Sequence, residues 1–580
     1  MSLLFILATA LSASACVARL IWYKRFIQYA KFPQMPASLL LGHMQAYNEI
    51  TQSGPVDRDY DHIFAQIHES LGKPPLFLLD YRPICRPVVV VASHEVAEQI
   101  SRPTQLFRTG TPKFNLGYMA PIIGQTSMLS AEGNDWKALR KTFNPWFSLQ
   151  NLMTFLPAIL DKTMIFVAHL DRLSETGEEA ALMGLTMNLM HDITGATVFD
   201  EDLDAQHVDP RQRGELVRAF AELLDAYWED KIHLPWWLKL GSELKRRQLG
   251  RRVDRILESV VRRKYEEWQQ QQTQTHRNLR DHEKGQWSSP PAPVPNSIVA
   301  LIFQNADTDT KTSRVLSPDH LSRTCDQLRT FLLGGHDSPS ATIAWVFYEL
   351  SRTPRVQSAI RAELDTLFGP GTDADAVRAQ LASLAGPDLL RRMSYTSAVL
   401  KETLRLHTPA STARYAPPGS GFVVRMPNTG EELVLDDVIL YNCGSIIHHD
   451  QAVFGATADE FMPERWLGNN TNTDKHAPAS IPPSAWRPFE RGPRSCIGQE
   501  FASIVMRAII AVVARQYDFA KVGLGAPKLD AATGRPILSN DGQYEVAEQV
   551  YNIRQITARP VDGIMVKVNR VQSHAGETHL

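Results

Sequence analysis

The sequence predicts a mainly α-helical protein with a small β region and one apolar helix at its N-terminus. Three observations lead to this fold class: an apolar stretch over residues 3–23, long capped helical patterns between residues 317 and 407, and a β-branched, turn-punctuated segment over 419–440. Of the 580 residues, 43% are hydrophobic and 21% charged, which is typical of a chain with a packed core. The net charge of −2 lacks the basic footprint of a nucleic-acid-binding protein.

Residues 1–25 are predicted to form a membrane anchor. The apolar stretch 3–23 reaches the roughly 20 residues that a helix needs to cross a bilayer. Lys24, Arg25 and Lys31 follow it and no basic residue precedes it, which predicts a single span with the bulk of the chain in the cytoplasm. The alternative is a cleaved secretory peptide, because the segment 13–15 reads Ala-Ser-Ala, as in an A-x-A cleavage site.

The rest of the chain is divided by composition. Residues 26–45 contain Pro33 and Pro36 and are predicted to be a hinge. The large domain is expected over 46–570, with a polar, glutamine- and proline-rich insertion at 269–296 that lacks the apolar residues needed to pack. Residues 571–580 are expected to be a flexible tail.

Three helices are predicted in the centre of the chain. The first has Ser317 as its N-cap and runs towards Leu350. The second begins after Thr353 and ends near Gly369, and the third covers about 394–407. Together they predict a helix-rich centre that is followed by the short strands of 419–440.

A glycine-containing loop over residues 489–498 holds one cysteine, Cys496, directly before an apolar helical pattern that begins at Gln499. A thiolate in that place is stabilised by the helix dipole and by unpaired backbone N–H groups. Glycines in the loop would let a flat macrocycle approach the backbone closely. A buried structural cysteine is the alternative interpretation.

This loop resembles the haem-binding signature of the cytochrome P450 family, F-x-x-G-x-R-x-C-x-G. The matching residues are Phe489, Gly492, Arg494, Cys496 and Gly498. The resemblance implies a cytochrome P450-like fold with a single large catalytic domain, a haem b cofactor and Cys496 as the axial iron ligand, a thiolate that favours O–O cleavage. It also implies that Arg494 pairs with a haem propionate and that Phe489 covers the sulfur side of the ring.

Glu402 and Arg405 form an E-x-x-R pair, 94 residues before the cysteine, and their spacing puts both on one helix face. With Arg465, they resemble the family's Glu–Arg–Arg triad. The resemblance implies that these three residues form a scaffold for the cysteine loop and take no part in the chemistry.

Trp136 and Arg140 resemble the family's W-x-x-x-R element, and the resemblance implies that both contact the haem propionates. Arg414 and His448 are two further candidates for such contacts. The predicted cofactor-binding residues are therefore these four and the matching residues of the signature loop.

The segment 334–338 reads Gly-Gly-His-Asp-Ser and resembles the family's oxygen-binding motif. Pro339 follows it and lacks an N–H, which predicts a local kink with a freed carbonyl at Gly335. Asp337 and Ser338 are expected to relay protons. Ser338 stands where threonine is usual, so an isomerase, dehydratase or peroxygenase of the same haem-thiolate class remains an alternative to a monooxygenase.

No G-x-G-x-x-G cofactor fingerprint occurs, so the electrons are expected from a separate NADPH-cytochrome P450 reductase, with cytochrome b5 as a further donor. Lys137, Lys141, Arg487 and Arg491 are candidates for a basic docking face. The family resemblance implies the endoplasmic reticulum membrane as location.

The substrate implied by the resemblance is a lipophilic small molecule of secondary metabolism. Aromatic residues at 227–228 and 235–238 lie where they would either touch the bilayer or pack in the core. A haem-binding sensor without turnover is the alternative from another functional class, which the pair Asp337 and Ser338 disfavours.

Overall fold

Two units make up the computed structural model, which describes residues 2–114, 117–228, 239–283, 297–304, 316–371, 373–468, 481–553 and 555–571. The sheet unit comprises residues 1–115, 410–459 and 474–495, and the helical unit comprises residues 116–409, 460–473 and 496–580. That the stretch 46–570 acts as one catalytic domain stays a prediction.

The described part of the chain is mostly helical, as the sequence predicts. Its α-helices are α1 (Ser2–Trp22), α2 (Met44–Gln52), α3 (Tyr60–Ser70), α4 (His94–Ser101), α5 (Ala120–Ile123), α6 (Gly133–Phe143), α7 (Leu149–Thr154), α8 (Leu156–Thr176), α9 (Leu182–Thr194), α10 (Glu215–Trp228), α11 (Leu240–Glu283), α12 (Ile298–Gln304), α13 (Pro318–Arg352), α14 (Pro354–Phe368), α15 (Ala374–Ala382), α16 (Gly386–Arg392), α17 (Ser394–Leu406), α18 (Gly444–His448), α19 (Gln451–Phe454) and α20 (Gln499–Val513). Its strands are β1 (Leu76–Leu79), β2 (Val88–Val91), β3 (Glu179–Ala181), β4 (Thr412–Ala416), β5 (Phe422–Arg425), β6 (Glu432–Leu435), β7 (Val438–Asn442), β8 (Tyr517–Lys521), β9 (Asn552–Ile553), β10 (Arg559–Pro560) and β11 (Met565–Arg570).

The sheet unit is built on a four-stranded sheet in the order β1-β2-β7-β4. Strand β2 consists of four valines, whose branched side chains suit a pleated, buried surface. It pairs antiparallel with β1 and parallel with β7, so that Val89 lies opposite Leu440. Strands β5 and β6 form a separate hairpin, which confirms the predicted strands over 419–440.

The predicted hinge, residues 26–45, is not a loose connector. Tyr29, Phe32 and Met35 are buried in the core of the sheet unit, and the carbonyl of Pro33 accepts a hydrogen bond of 2.8 Å from the Leu78 amide. The burial of the apolar side chains around the prolines is favourable, and that the segment acts as a hinge stays a prediction.

Arg25, one of the basic residues that follow the predicted anchor, is not exposed to solvent. Its guanidinium is buried, donates to the carbonyls of Leu39 and Leu40 at 3.1 and 3.0 Å, and pairs with Asp80 at 2.5 Å. The apolar helix ends beside it: residues Phe5–Ile27 are long and apolar enough to cross a membrane, with a mean hydropathy of 1.7.

The three central helices are confirmed. Helix α13 has Ser317 as N-cap, whose hydroxyl accepts from the His320 amide at 3.2 Å, and it contains Pro339 in its interior. Helix α14 ends before Gly369, which has a φ of 92°. Helix α17 ends at Leu406.

The first half of the predicted polar insertion, 269–296, is helical, and its status as an insertion stays a prediction. Helix α11 continues through Gln269 to Glu283, and residues 284–296 lie outside the described residues. Glutamine, glutamate and arginine are good helix formers, and extension of an existing helix needs no new nucleus. Buried Tyr265 and Trp268 hold the preceding turn in the core.

Candidate active site

Cys496 lies in the helical unit, two residues before Gly498, which caps the N-terminus of α20. Its side chain is exposed and it forms no disulfide. A Cβ placed on Gly498 would lie 3.8 Å from the sulfur, so the glycine leaves that flank of the sulfur open. The helix dipole therefore acts on an accessible thiol, as the sequence predicts.

Trp136 and Arg140 lie one turn apart on α6, also in the helical unit. Trp136 is buried, and burial lowers the pKa of Arg140 while the negative charge of the Cys496 thiolate raises it in part. The cation of Arg140 is thus within electrostatic reach of the cysteine sulfur. The structure thus places Trp136 and Arg140, which the sequence predicts to act as a pair, on one helix.

The sheet unit contributes two buried arginines, Arg414 on β4 and Arg494 in the cysteine loop, which are 2% and 6% exposed. A carboxylate lies near the first of them: burial would raise the pKa of Glu490, but the charges of Arg487 and Arg414 hold it below its usual value. Phe489 is half-buried, with its ring centroid 6.0 Å from that of Trp486.

Gly492 is required by the fold of the sheet unit itself. It has a φ of 77°, and a Cβ there would lie 2.2 Å from the carbonyl oxygen of Ser101. The backbone that approaches Gly492 in the structure is that of α4. The predicted role of Gly492 in the approach of a macrocycle stays a prediction.

His448 has a different contact from the one predicted. It is fully buried in the sheet unit, and its Nε2 accepts a hydrogen bond of 3.0 Å from the Arg487 amide. Through Nε2 the ring supports the segment that leads into the cysteine loop. Its role as a haem-propionate contact stays a prediction.

Glu402 is the centre of a polar cluster in the helical unit, in which its own side chain and that of Arg405 are fully buried. Its carboxylate accepts from Arg405 at 2.9 and 2.7 Å and from Nε of Arg465 at 2.8 Å. Burial alone would raise the pKa of Glu402, yet the hydrogen bonds and charges of Arg405, with those of Arg465, hold it below its usual value. The structure brings the predicted triad together.

Two further donors to Glu402 were not predicted from the sequence. The indole Nε1 of Trp466 donates to the carboxylate at 2.9 Å, and the amide of Met462 donates at 3.1 Å. Both belong to the segment that carries Arg465. Trp466 directly follows Arg465 in the sequence, and this position is the signal that could have identified the tryptophan as a further donor to Glu402.

Gly335 on α13 packs against another helix. A Cβ there would lie 2.7 Å from the hydroxyl oxygen of Thr194 on α9. Gly334 is the exposed glycine of the pair, and a Cβ there would meet no atom of the described chain within 4 Å. The two glycines of the motif therefore differ: Gly335 allows close helix packing and Gly334 leaves open space.

Asp337 is buried on α13, with 1% of its side chain exposed. Its carboxylate accepts from the hydroxyl of Thr557 at 2.5 Å and from Nε of Arg559 at 2.9 Å. Ser338 is half-buried beside it. The arginine and the threonine follow more than 200 positions later in the chain, and no local sequence signal links them to Asp337.

Two stacked histidines on neighbouring helices were also not predicted from the sequence. His191 on α9 and His336 on α13 have ring centroids 3.9 Å apart, and Nδ1 of each lies within hydrogen-bond distance of a carbonyl of its own helix. Burial lowers the pKa of His191 well below its usual value and that of His336 to about 3. Both rings are therefore neutral near pH 7.

Comparison of the sequence with known proteins identifies the family of the chain. The sequence model of the cytochrome P450 family matches residues 50–545. The chain belongs to the cytochrome P450 family. This cytochrome P450 is 26% identical to cytochrome P450 monooxygenase polC of Polytolypa hystricis over 86% of the chain and 83% of the relative. It is 29% identical to cytochrome P450 monooxygenase acrF of Aspergillus aculeatus over 85% and 94%, and 26% identical to human cytochrome P450 4V2 over 97% and 95%.

The residues of this cytochrome P450 fit the haem-thiolate group of its family. The accessible thiol before α20 is the type of group that ligates the iron in a haem-thiolate protein. Arg140, Arg414 and Arg494 are buried or half-buried guanidinium groups, and such groups bind carboxylates well. Each of these groups is thus of the kind that a haem iron or its propionates need.

The predicted reductase-docking residues need a correction. The guanidinium of Arg487 is 2% exposed and ion-paired with Glu490 and Glu98, so it is not part of a docking face. Arg491 is 35% exposed and also pairs with Glu98. The exposed lysines at 137 and 141 are unchanged as candidates, and the aromatic segment 235–238 lies outside the described residues.

Proposed function

We propose that this cytochrome P450 hydroxylates, epoxidises or desaturates a lipophilic small molecule. The observation that carries the proposal is the accessible thiol of Cys496 at the start of α20, with the Arg140 cation in electrostatic reach. A haem b bound there supplies the activation of dioxygen.

Each site residue has a proposed task. Cys496 binds the iron as a thiolate, while Gly498 leaves the flank of the sulfur open. Arg140 and Trp136 bind the haem propionates. Arg414 and Arg494 are proposed to do the same, because a guanidinium matches a carboxylate in shape and charge. Phe489 is proposed to cover the sulfur side of the ring, with Gly492 shaping the turn.

Asp337 and Ser338 are proposed to move protons on the other side of the haem. Both lie on α13 next to the open space at Gly334. A serine hydroxyl donates and accepts as a threonine hydroxyl does, but its rotamer is less restricted. This substitution is the observation that favours a second candidate, a haem-thiolate isomerase, dehydratase or peroxygenase.

The electrons are proposed to come from an NADPH-cytochrome P450 reductase, with cytochrome b5 as a further donor. A bifunctional cytochrome P450/NADPH--P450 reductase of Gibberella moniliformis is 35% identical over 37% of the chain and 17% of the relative. Helix α1 is proposed to anchor the protein as a single span in the endoplasmic reticulum membrane, with the catalytic residues on the cytoplasmic side.

The substrate is proposed to belong to fungal secondary metabolism. Support comes from the two fungal monooxygenases polC and acrF, which each align over more than 80% of this chain. An apolar anchor also keeps the enzyme where lipophilic compounds concentrate.

An isotope experiment tests the proposal. Microsomes that contain the full-length protein and a reductase are given NADPH, a library of terpenoids, polyketides and alkaloids, and oxygen-18 gas. A product that gains one heavy oxygen atom, or that loses two hydrogen atoms, supports the proposal. Products that are isomers or dehydration products of the added compound, formed without NADPH, contradict it and favour the second candidate. Cys496→Ala microsomes are the control and should form neither kind of product.

A further inference from the structure

The partners of Asp337 lie on a short hairpin near the end of the chain. Strands β9 and β10 pair so that Arg559 lies opposite Ile553, and the Val561 amide donates to the Tyr551 carbonyl at 3.0 Å. We call residues 551–553 and 555–561 the C-terminal hairpin. Thr557 and Arg559 lie 220 and 222 residues after Asp337 in the sequence, so their contact with α13 is a product of the tertiary fold.

The hairpin engages both oxygen atoms of the Asp337 carboxylate. Arg559 donates to Oδ1 through Nε at 2.9 Å and also through Nη2, while the Thr557 hydroxyl donates to Oδ2 at 2.5 Å. A planar guanidinium that donates twice fixes both the charge and the direction of a carboxylate. The orientation of Asp337 is therefore set by the hairpin.

The hairpin is itself anchored on the helical unit. The amide of Ala558, between the two donors, donates to the carbonyl of Pro409 at 2.8 Å. Pro409 follows the end of α17, the helix that carries the Glu402 cluster. The backbone beside both donors to Asp337 is thus hydrogen-bonded to the segment that follows α17.

We propose that Arg559 is a positioning residue, which holds Asp337 in the orientation that proton delivery requires. Thr557 acts with it by holding the second oxygen through a single hydroxyl. This assignment rests on the proposed function of Asp337 as a proton-relay group. Movement of the C-terminal hairpin accordingly changes the efficiency of proton delivery.

Hydrogen exchange measures the coupling without any turnover. The full-length holoprotein in nanodiscs is compared with Asp337→Asn, Arg559→Gln and Arg559→Lys, and amide exchange is followed in peptides that cover residues 551–561. Asp337→Asn and Arg559→Gln should each speed exchange in the hairpin about tenfold, because the ion pair no longer opposes local opening. Arg559→Lys keeps the charge and should lie between them and the wild type. Unchanged exchange in both Asp337→Asn and Arg559→Gln overturns the coupling.

Oxygen use separates positioning from simple stability. With reductase and NADPH, the ratio of hydrogen peroxide formed to NADPH consumed should rise about threefold in Arg559→Gln, since a misplaced acid delivers protons less efficiently. Arg559→Lys should recover part of the loss. The double variant Asp337→Asn with Arg559→Gln should be no worse than Asp337→Asn alone, because both act through one carboxylate.

The matched control is Lys521→Met. It removes another ion pair of the helical unit, Lys521 with Asp562, in which the lysine is 1% exposed. It should lower the thermal midpoint while leaving the peroxide ratio unchanged. An equal rise in peroxide in Lys521→Met and Arg559→Gln overturns the positioning role. A wild type without a thiolate-type spectrum would instead refute the proposed function, and the hydrogen-exchange result would still test the coupling.

Discussion

Two buried carboxylates of the helical unit, Glu402 and Asp337, are held in different ways. Glu402 accepts hydrogen bonds from two arginines, an indole and a backbone amide, and neither Glu402 nor Arg405 has any exposed side-chain surface. Asp337 accepts from one arginine and one hydroxyl, and that arginine, Arg559, is 12% exposed.

The difference indicates what each carboxylate can do. A buried ion that is satisfied on every side is expensive to disturb and suits a fixed scaffold. A buried ion with two partners on one hairpin changes orientation when that hairpin moves. Two buried carboxylates with arginine partners thus form one fixed site, at Glu402, and one site whose orientation can change, at Asp337. Variants at both sites test this contrast.

The largest effect is expected for Glu402→Gln. It leaves the buried charges of Arg405 and Arg465 without their counter-ion, at a cost of about 4 kcal/mol. The measurement is the yield of haem-loaded protein and its thermal midpoint at a fixed scan rate. Glu432→Gln is the control, since Glu432 pairs with Arg425 on an exposed hairpin and should change neither quantity. A Glu402→Gln protein with the wild-type midpoint would remove the distinction between the two carboxylates.

A smaller effect is expected for Asp337→Asn. The partner Arg559 is partly exposed and can turn towards water, so the loss should be about 2 kcal/mol. The same thermal measurement checks it. A loss as large as that of Glu402→Gln would show that both carboxylates are scaffolds.

The surroundings of Asp337 also predict a pH dependence. Burial lowers the pKa of His336 from the usual 6.5 to about 3. The facing and neighbouring ionisable groups are His191, Asp337 and Arg559. Because only the unfolded chain takes up a proton as the pH falls below about 6.5, stability is full above that pH and is lost below it, by about 2 kcal/mol for this histidine at pH 5.

The variant His336→Phe keeps a ring in the stack and removes the titrating group. Thermal midpoints at about pH 7.5 and pH 5 should differ less in this variant than in the wild type. A control, His207→Phe, changes an exposed histidine and should keep the wild-type difference. Parallel pH curves for His336→Phe and the wild type would contradict the assignment of a neutral, buried ring.

The smallest effect is expected for Trp466→Phe. It removes one neutral donor from Glu402 while two arginines and an amide stay in place, so the cost should be about 1 kcal/mol. Thr557→Val removes one of the two partners of Asp337 and should change hydrogen exchange in the C-terminal hairpin, which Trp466→Phe should not. Equal exchange in the two variants would weaken the contrast.

The sequence predicted what depends on neighbouring residues. Ser317 as an N-cap, the strands over 419–440 and the pairing of Glu402 with Arg405 follow from local spacing, and all are present. Residue-type signals of a single segment also identified Cys496 before an apolar helix.

The remainder depends on contacts between distant segments. Arg559 forms an ion pair with Asp337, and Thr194 limits the space at Gly335. Both contacts arise from tertiary packing, which a local sequence pattern does not predict. The contacts of Gly492 with Ser101 and of His448 with the Arg487 amide also join distant segments, which a motif does not show, while the cofactor roles of both residues stay predictions. Helix α11 extends beyond Gln269 because helix propensity continued past the point where apolar residues end.

The most direct test of the central claim is the absorption spectrum of the reduced, carbon monoxide-bound protein, recorded for wild type, Cys496→Ala and Cys496→His. Thiolate ligation by Cys496 predicts a strongly red-shifted Soret band in the wild type that is absent from both variants. A wild type without haem, or an unshifted band that is the same in all three proteins, would contradict the assignment of Cys496 and the site built around it.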